Sequence, residues 1–164
     1  MTPSEWFIDI TTLVGVAIAL FTLIKGIVEF VKQGTQKRAE QFVEMRKRFK
    51  ENEIFREISA LLENDNPKLA FEPYKNKRDY LGFFEEIALM VNSGLIKGEV
   101  AYYMFGYYAI KCWKSDNFWK IKSKNGKSQY INRESQYWIL FKKFVEKMMQ
   151  KEDSFVYKEK LFRF

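Results

Sequence analysis

Ile10 to Val31 reads ITTLVGVAIALFTLIKGIVEFV, and this stretch decides how the chain is organised. The uncharged run that ends before Lys25 has 15 residues, fewer than the roughly 18 that mark a membrane-spanning helix. Counted from Trp6 to Val31, however, 26 residues contain only three charges. These are Asp9, Lys25 and Glu29, all near an end where a side chain reaches the membrane surface. The pattern predicts a tilted transmembrane segment over residues 1–31, with a buried or interfacial amphipathic helix as the alternative.

The charges around this segment predict its orientation. Residues 1–24 carry Glu5 and Asp9 and no Lys or Arg, whereas residues 25–50 carry eight basic side chains and three acidic ones. Because Lys and Arg accumulate on the cytoplasmic side of membrane proteins, we expect the N-terminus outside and the C-terminal part in the cytoplasm. The acidic start, with no small-residue cleavage motif after the apolar run, disfavours a cleaved signal peptide.

One face of the predicted helix carries small and polar residues. At 100° per residue, these side chains fall within an arc about 80° wide. They are Thr11, Gly15, Ala19, Thr22, Gly26, Glu29 and Gln33, and Lys25 and Lys32 flank the arc. Small residues about four positions apart let helices approach closely, so this small-residue face predicts helix association.

The same face also allows a pore, formed by a ring of copies with part of the face toward water. Lys25 and Glu29 would then lie near the cytoplasmic mouth. Helices about 10 Å across leave a lumen radius of about 2 Å when four are in contact and about 8 Å when eight are. A pore therefore requires many copies, and the sequence pattern leaves association and pore formation both open.

The missing residue types exclude several kinds of chemistry. The chain has 164 residues, no histidine and one cysteine, Cys112. Histidine catalysis, an intrachain disulfide and the usual His- or Cys-rich metal sites are therefore excluded. We expect no catalytic residue, no cofactor and no metal. The apolar content of 47% supports a packed core.

The remainder of the chain predicts helices. Helix formers and apolar spacing predict a basic helical extension over residues 32–63, a loop over 64–78 and a helical domain over 79–164. Within that domain we expect helices at about 80–93, 99–113 and 133–150, with Asp79 capping the first of them, and one hairpin at 119–131. The predicted fold class is all-α: an N-terminal transmembrane helix that continues into a cytoplasmic bundle of about four helices.

Three further patterns bear on chemistry. Lys111 to Tyr130 holds six lysines and one acidic residue among aromatic side chains, a composition that suits either RNA contact or a solvated surface loop. The candidates for RNA or partner contact are Trp119, Lys120, Lys122, Lys124 and Lys127. Glu85 and Glu86 are adjacent, so on a helix they point about 100° apart and do not form a carboxylate pair. The Gly126-Lys127-Ser128 triplet lacks the earlier glycine of a phosphate-binding loop.

Several packing motifs carry a family resemblance. Residues 79–91 read DYLGFFEEIALMV, residues 94–97 read GLIK, and residues 102–108 read YYMFGYY. With the acidic start, the apolar helix and the basic extension, these motifs resemble the small membrane accessory proteins of type VI-B CRISPR loci. The chain is also similar to the wider set of single-span bacterial proteins with a helical cytoplasmic domain.

This resemblance implies a function. Its family implies a ring of about eight subunits in the bacterial inner membrane, pore-like, that strengthens antiviral defence by depolarising the membrane together with the RNA-guided RNase of its locus. The family's ribonuclease motif pairs an arginine with a nearby histidine. Since this chain has no histidine, Arg133 cannot complete that pair, which disfavours a nuclease. The alternative is a membrane-tethered adaptor that binds the effector nuclease or RNA without forming a pore.

Overall fold

A computed structural model describes residues 3–122 and 128–152. The described residues form six α-helices, two 3₁₀ helices and two short strands. The α-helices are α1 (Pro3–Glu51), α2 (Glu53–Leu62), α3 (Tyr74–Asn92), α4 (Gly98–Lys114), α5 (Asp116–Trp119) and α6 (Ile139–Glu152). The 3₁₀ helices are Pro67–Phe71 and Gln136–Trp138, and the strands are β1 (Lys120–Lys122) and β2 (Ser128–Tyr130). The chain is mostly helical, in agreement with the predicted all-α class, but the described residues hold six α-helices and a short two-stranded sheet where about four bundle helices were predicted.

The chain divides into two units, residues 1–41 and residues 42–164. The first unit holds most of α1, whose apolar segment begins the helix. The second unit holds the end of α1 and all the other elements. Its hydrophobic core takes side chains from every helix of the unit.

The long helix ends earlier than predicted. We expected one helix to run on to Leu62, but α1 ends at Glu51 and a new helix begins after Asn52. Asn52 has an extended backbone, and its side-chain oxygen accepts a hydrogen bond from the backbone N–H of Phe55 at 3.1 Å. A short polar side chain that bonds the backbone locally competes with helix continuation, which is the reason for the break.

The predicted loop is shorter than its sequence indicated. A 3₁₀ helix occupies Pro67–Phe71, and α3 begins at Tyr74 rather than near Tyr80. Pro73 takes the position before the first helical residue, where its fixed φ and missing N–H are tolerated. The prediction that Asp79 caps this helix was therefore wrong, because Asp79 lies inside α3, beside Arg78.

Phe49, near the end of α1, lies at the centre of the aromatic core. Its ring centroid is 5.1 Å from that of Phe83 and 5.7 Å from that of Phe105, and Phe55 and Tyr80 lie within 6.1 Å. These rings come from four helices, and their contacts are stacked for Phe83, tilted for Phe55 and Tyr80, and edge-on for Phe105. Phe49 therefore joins the last turns of α1 to the core of the second unit.

The later elements agree with the sequence in part. Helix α4 matches its prediction to within one residue at each end, and β1 and β2 form the expected hairpin with Lys120 opposite Tyr130. The last helix was predicted from Arg133, but a 3₁₀ turn intervenes and α6 begins at Ile139. The hydroxyl oxygen of Ser135 accepts a hydrogen bond from the N–H of Tyr137 and so starts that turn.

Candidate functional site

The apolar part of α1 is exposed along its whole described length. From Leu13 to Val31 its large apolar side chains are between 50% and 78% exposed. The most apolar window of the helix has a mean hydropathy of 2.1, and none of it is buried. Helices at the core of a soluble fold are buried, so this one is not of that kind. In the described part of the chain, α1 is the helix long and apolar enough to cross a membrane.

The geometry of α1 fits a bilayer. At 1.5 Å per residue, the stretch from Ile10 to Val31 is about 33 Å long, close to the roughly 30 Å of a hydrocarbon core. The helix continues without a break to Glu51, and it contributes Phe42, Met45 and Phe49 to the core of the second unit.

The small-residue face forms a shallow groove on α1. Its floor and one side come from the predicted residues Ala19, Thr22 and Gly26. A Cβ atom added at Gly15 or Gly26 would meet no other atom within 4 Å. The surface beside both glycines is therefore open in the single chain, as close approach of a second helix requires.

The structure describes the side chains of most other residues on the predicted face. The side chains of Lys25, Glu29 and Gln33 are exposed, and that of Thr11 lies outside the described residues. The hydroxyl of Thr22 donates to the carbonyl oxygen of Ile18 at 2.9 Å, one turn earlier in the same helix. The Thr22 hydroxyl thus already has a hydrogen-bond acceptor within its own helix. The face therefore favours a second helix by letting it approach closely, and not by presenting an unpaired hydroxyl donor.

Three apolar residues of the groove were missed by the sequence analysis. Leu23, Ile27 and Phe30 form its opposite side. They follow one another at spacings of four and three, directly beside the small residues, and that spacing was the available signal. The groove is therefore asymmetric, with a small-residue side and a bulky apolar side.

The basic hairpin matches its prediction only in part. Trp119 is fully buried, and its indole N–H donates to the carbonyl oxygen of Cys112 at 3.0 Å. Trp119 was a candidate for RNA or partner contact, and in this structure its ring has no face open for a base. The Nζ atom of Lys120 lies 5.8 Å from the ring centroid of Tyr130, and the Nζ atom of Lys122 lies 5.4 Å from the ring centroid of Phe71. Lys124 and Lys127 lie outside the described residues.

Arg133 has a structural position. Its guanidinium donates to the carbonyl oxygen of Ser115 at 3.2 Å and to the Asp116 carboxylate at 3.0 Å, and it lies 5.4 Å from the Trp119 ring centroid. These contacts tie the segment after the hairpin to the junction between α4 and α5. The arginine is thus engaged in packing.

The remaining reactive side chains are also engaged. Glu85 accepts the backbone N–H of Phe141 at 2.9 Å, and burial raises the pKa of its carboxyl, whereas Glu86 pairs with Arg48 at 2.7 Å. The two carboxylates therefore have separate partners. Burial raises the pKa of the Cys112 thiol well above its usual value, so the reactive thiolate is disfavoured. In the described ranges, no three His, Cys, Asp or Glu side chains are grouped to hold a metal.

Lys77 is a buried cation that the sequence analysis placed in a loop. It lies in α3, is fully buried, and its Nζ donates to the carbonyl oxygen of Lys120 at 2.6 Å. Burial is the main cause that lowers its pKa to about 8. Neighbouring lysines lie in a similar local sequence, so the sequence around Lys77 does not indicate that this lysine is the buried one. Its role is to connect α3 to β1.

Comparison with known proteins gives one family. The model of a family described as a domain of unknown function (DUF4760) matches residues 10–148. The match begins in the apolar segment of α1 and ends in α6, so the pattern of that family includes both the apolar helix and the helical domain. No curated protein and no solved structure matches the chain.

Proposed function

The chain belongs to the DUF4760 family, and we propose that it is a single-span membrane protein that assembles through α1 into a homo-oligomeric, pore-like ring. The observation that carries this proposal is the apolar surface of α1, which is exposed on all sides from Leu13 to Val31. A continuous apolar surface of this extent is unstable in water and is stable in lipid. Membrane lipid is therefore its proposed environment.

The small-residue face supports assembly within the bilayer. Lipid surrounds an isolated helix equally on every side, so a single anchor gains nothing from a groove beside Ala19 and Gly26. A second helix does gain, because small residues let the two backbones approach and let the bulky side of one groove pack against the small side of the next. Such a head-to-tail contact closes into a ring when its rotation allows.

The charge distribution supports an orientation and the resemblance supports a role. The basic residues that follow the apolar segment favour a cytoplasmic helical domain and an external N-terminus. The resemblance implies that the membrane is the bacterial inner membrane. By its resemblance to the accessory proteins of type VI-B CRISPR loci, the ring would enhance antiviral defence by depolarising the membrane, together with the RNA-guided RNase of the locus. This role is that of a membrane effector without enzymatic activity.

Membrane depolarisation in infected cells tests this function. Gly26→Leu and Thr22→Leu should abolish depolarisation while the protein still inserts, because leucine fills the groove without adding charge. Ala17→Leu is the matched control, since Ala17 is exposed and does not line the groove. Normal depolarisation by both groove variants would show that the small-residue face has no function in a pore.

The adaptor alternative has its own observation. Tyr130 is 68% exposed beside Lys120, so the described hairpin presents an aromatic ring and a cation on the surface. An adaptor predicts that charge reversal at Lys120, Lys122 and Lys124 abolishes activity, and that deleting residues 1–30 only reduces it. Recovery of RNA with the purified wild type but not with the charge-reversed variant would favour the adaptor over the pore.

A further inference from the structure

The helical domain has a basic groove that the membrane proposal does not use. It lies between the last turns of α1, α2 and α4, and its volume is about 590 Å³. Arg46 and Lys50 of α1 and Arg56 of α2 line it, together with Met104 and Tyr108 of α4. All these residues belong to the second unit. The groove thus combines three cations from two helices with an apolar wall from a third.

Within residues 3–122 and 128–152, the cations of this groove lack strong partners. Arg46 and Lys50 are four residues apart, so they lie on one face of α1, where like charges destabilise a helix. Neither forms an ion pair within 4.0 Å among the residues that the structure describes. Arg56 is 3.9 Å from Glu53, but both side chains are mostly exposed, and such pairs contribute little.

The acidic residue at the groove does not neutralise these cations. Glu63 lines the edge, and its carboxylate accepts the Tyr107 hydroxyl at 2.5 Å. Its backbone carbonyl accepts the Lys111 ammonium at 3.0 Å. The hydroxyl partner leaves the charge of the Glu63 carboxylate in place, but the lining has three cations, Arg46, Lys50 and Arg56, against this one anion, so its net charge is positive.

Membrane topology does not explain the arrangement. The positive-inside rule requires basic residues after a spanning helix, and it is satisfied equally by Lys47, which is exposed and does not line the groove. It gives no reason for cations from α1 and α2 to lie around one cavity. Beside them, the half-buried Tyr108 packs 5.1 Å from Phe49 and offers a rigid aromatic surface.

We infer that this groove binds a phosphate-bearing ligand whose remaining part is apolar or aromatic, as in a nucleotide. Guanidinium and ammonium groups bind phosphate oxygens through charge-assisted hydrogen bonds, and Arg46, Lys50 and Arg56 supply them. Tyr108 and Met104 supply the wall for the base. A phospholipid headgroup has the same phosphate chemistry, and the ligand tests below separate it from a nucleotide. The inference stands independently of pore formation.

The experiment uses the full chain in phosphatidylcholine nanodiscs, with ATP and glycerol 3-phosphate as probes in separate calorimetric titrations. The test variant is Arg46→Gln with Lys50→Gln, and the control is Lys47→Gln, which removes one charge from the same helix outside the groove. Because each charged contact to phosphate is strong, the test variant should bind at least about tenfold more weakly. The control should bind like the wild type. All three substituted side chains are exposed, so folding is preserved.

The outcomes separate the two sources of phosphate. Tighter binding of ATP than of glycerol 3-phosphate, with loss in the test variant only, supports the groove as a nucleotide site. Equal or tighter binding of glycerol 3-phosphate, with the same loss, supports a phosphate site that does not recognise the base, as expected for a lipid headgroup and not for a nucleotide. The inference is overturned if neither probe binds at about 10 mM, or if Lys47→Gln weakens binding as much as the double variant.

Discussion

Replacing Ala19 with leucine should weaken self-association of α1, whereas replacing Ala17 with leucine should not. Both are alanines of the same helix, two residues apart, and both are exposed in the single chain. Ala19 lines the groove with Thr22 and Gly26, whereas Ala17 lies about 160° around the helix from Ala19. The two substitutions add the same atoms and the same hydropathy, so only the face they alter differs.

The expected magnitude follows from what each substitution meets. In one chain, leucine at either position projects from an exposed face, and leucine forms helices nearly as well as alanine. Membrane insertion is therefore preserved in both variants. At a close helix–helix contact, added methyl and methylene groups force overpacking that costs about 1–3 kcal/mol. This corresponds to about a 5- to 150-fold weaker association at each interface for Ala19→Leu.

Mass measurement of the detergent-solubilised protein over a dilution series tests this prediction. The wild type and Ala17→Leu should remain assembled at concentrations at which Ala19→Leu dissociates into smaller species. Energy transfer between labelled copies in vesicles provides the same comparison in lipid. Equal association of the two variants, or stronger association of Ala19→Leu, would refute the assignment of the small-residue face as the contact between copies.

Three further substitutions test the packing of the helical domain through denaturation of the full chain followed by tryptophan fluorescence. Gly82→Ala should raise the free energy of unfolding by about 0.5–1 kcal/mol, since an added Cβ inside α3 meets no atom within 4 Å; a loss would contradict this. Gly106→Ala should change it by less than about 1 kcal/mol, because the added Cβ would lie 2.8 Å from the sulfur of Met148, a flexible and half-buried side chain that can move aside, and a loss above about 2 kcal/mol would contradict this. Lys77→Met should remove a pH-dependent contribution to the free energy of unfolding. The pKa of Lys77 falls from 10.5 to about 8 on folding, so between these pH values the unfolded chain binds more protons than the folded chain. The free energy of unfolding of the wild type therefore rises with pH in this range. From pH 7 to pH 9 this rise is about 1.4 kcal/mol, and the same rise in Lys77→Met would show that another group causes it. The raised pKa of Cys112 lowers the free energy of unfolding as pH rises, and it does so in both proteins.

The sequence predicted best where a local pattern suffices. Helix α4 matched its predicted bounds to within one residue, because an apolar run between Gly98 and Lys114 marks a helix without reference to distant residues. The hairpin over residues 119–131 was predicted from its local pattern, and the described strands β1 and β2 are paired. The start of α3 was mistaken, since both Pro73 and Asp79 suit the beginning of a helix and local sequence does not rank them.

The candidate sites show a similar division. Trp119 and the lysines of the hairpin have the composition of a nucleic-acid surface, yet Trp119 is fully buried against α4. Local composition shows only which side chains are neighbours in the sequence. Whether one of them is buried depends on residues that are many positions away. Arg133 illustrates the same point, because its partners Ser115 and Asp116 lie across the hairpin.

By itself the sequence determined the apolar helix, its small-residue face and the charge excess that follows it. Hydropathy and helical periodicity are properties of consecutive residues, and they exist before any tertiary contact forms. Only the tertiary structure decided that Lys77 is the buried lysine and that Arg46, Lys50 and Arg56 line one groove with Tyr108. The physical reason is that the burial of a side chain, and which side chains meet at one groove, depend on how helices distant in sequence pack together. After packing, identical side chains on the same helix have different surroundings.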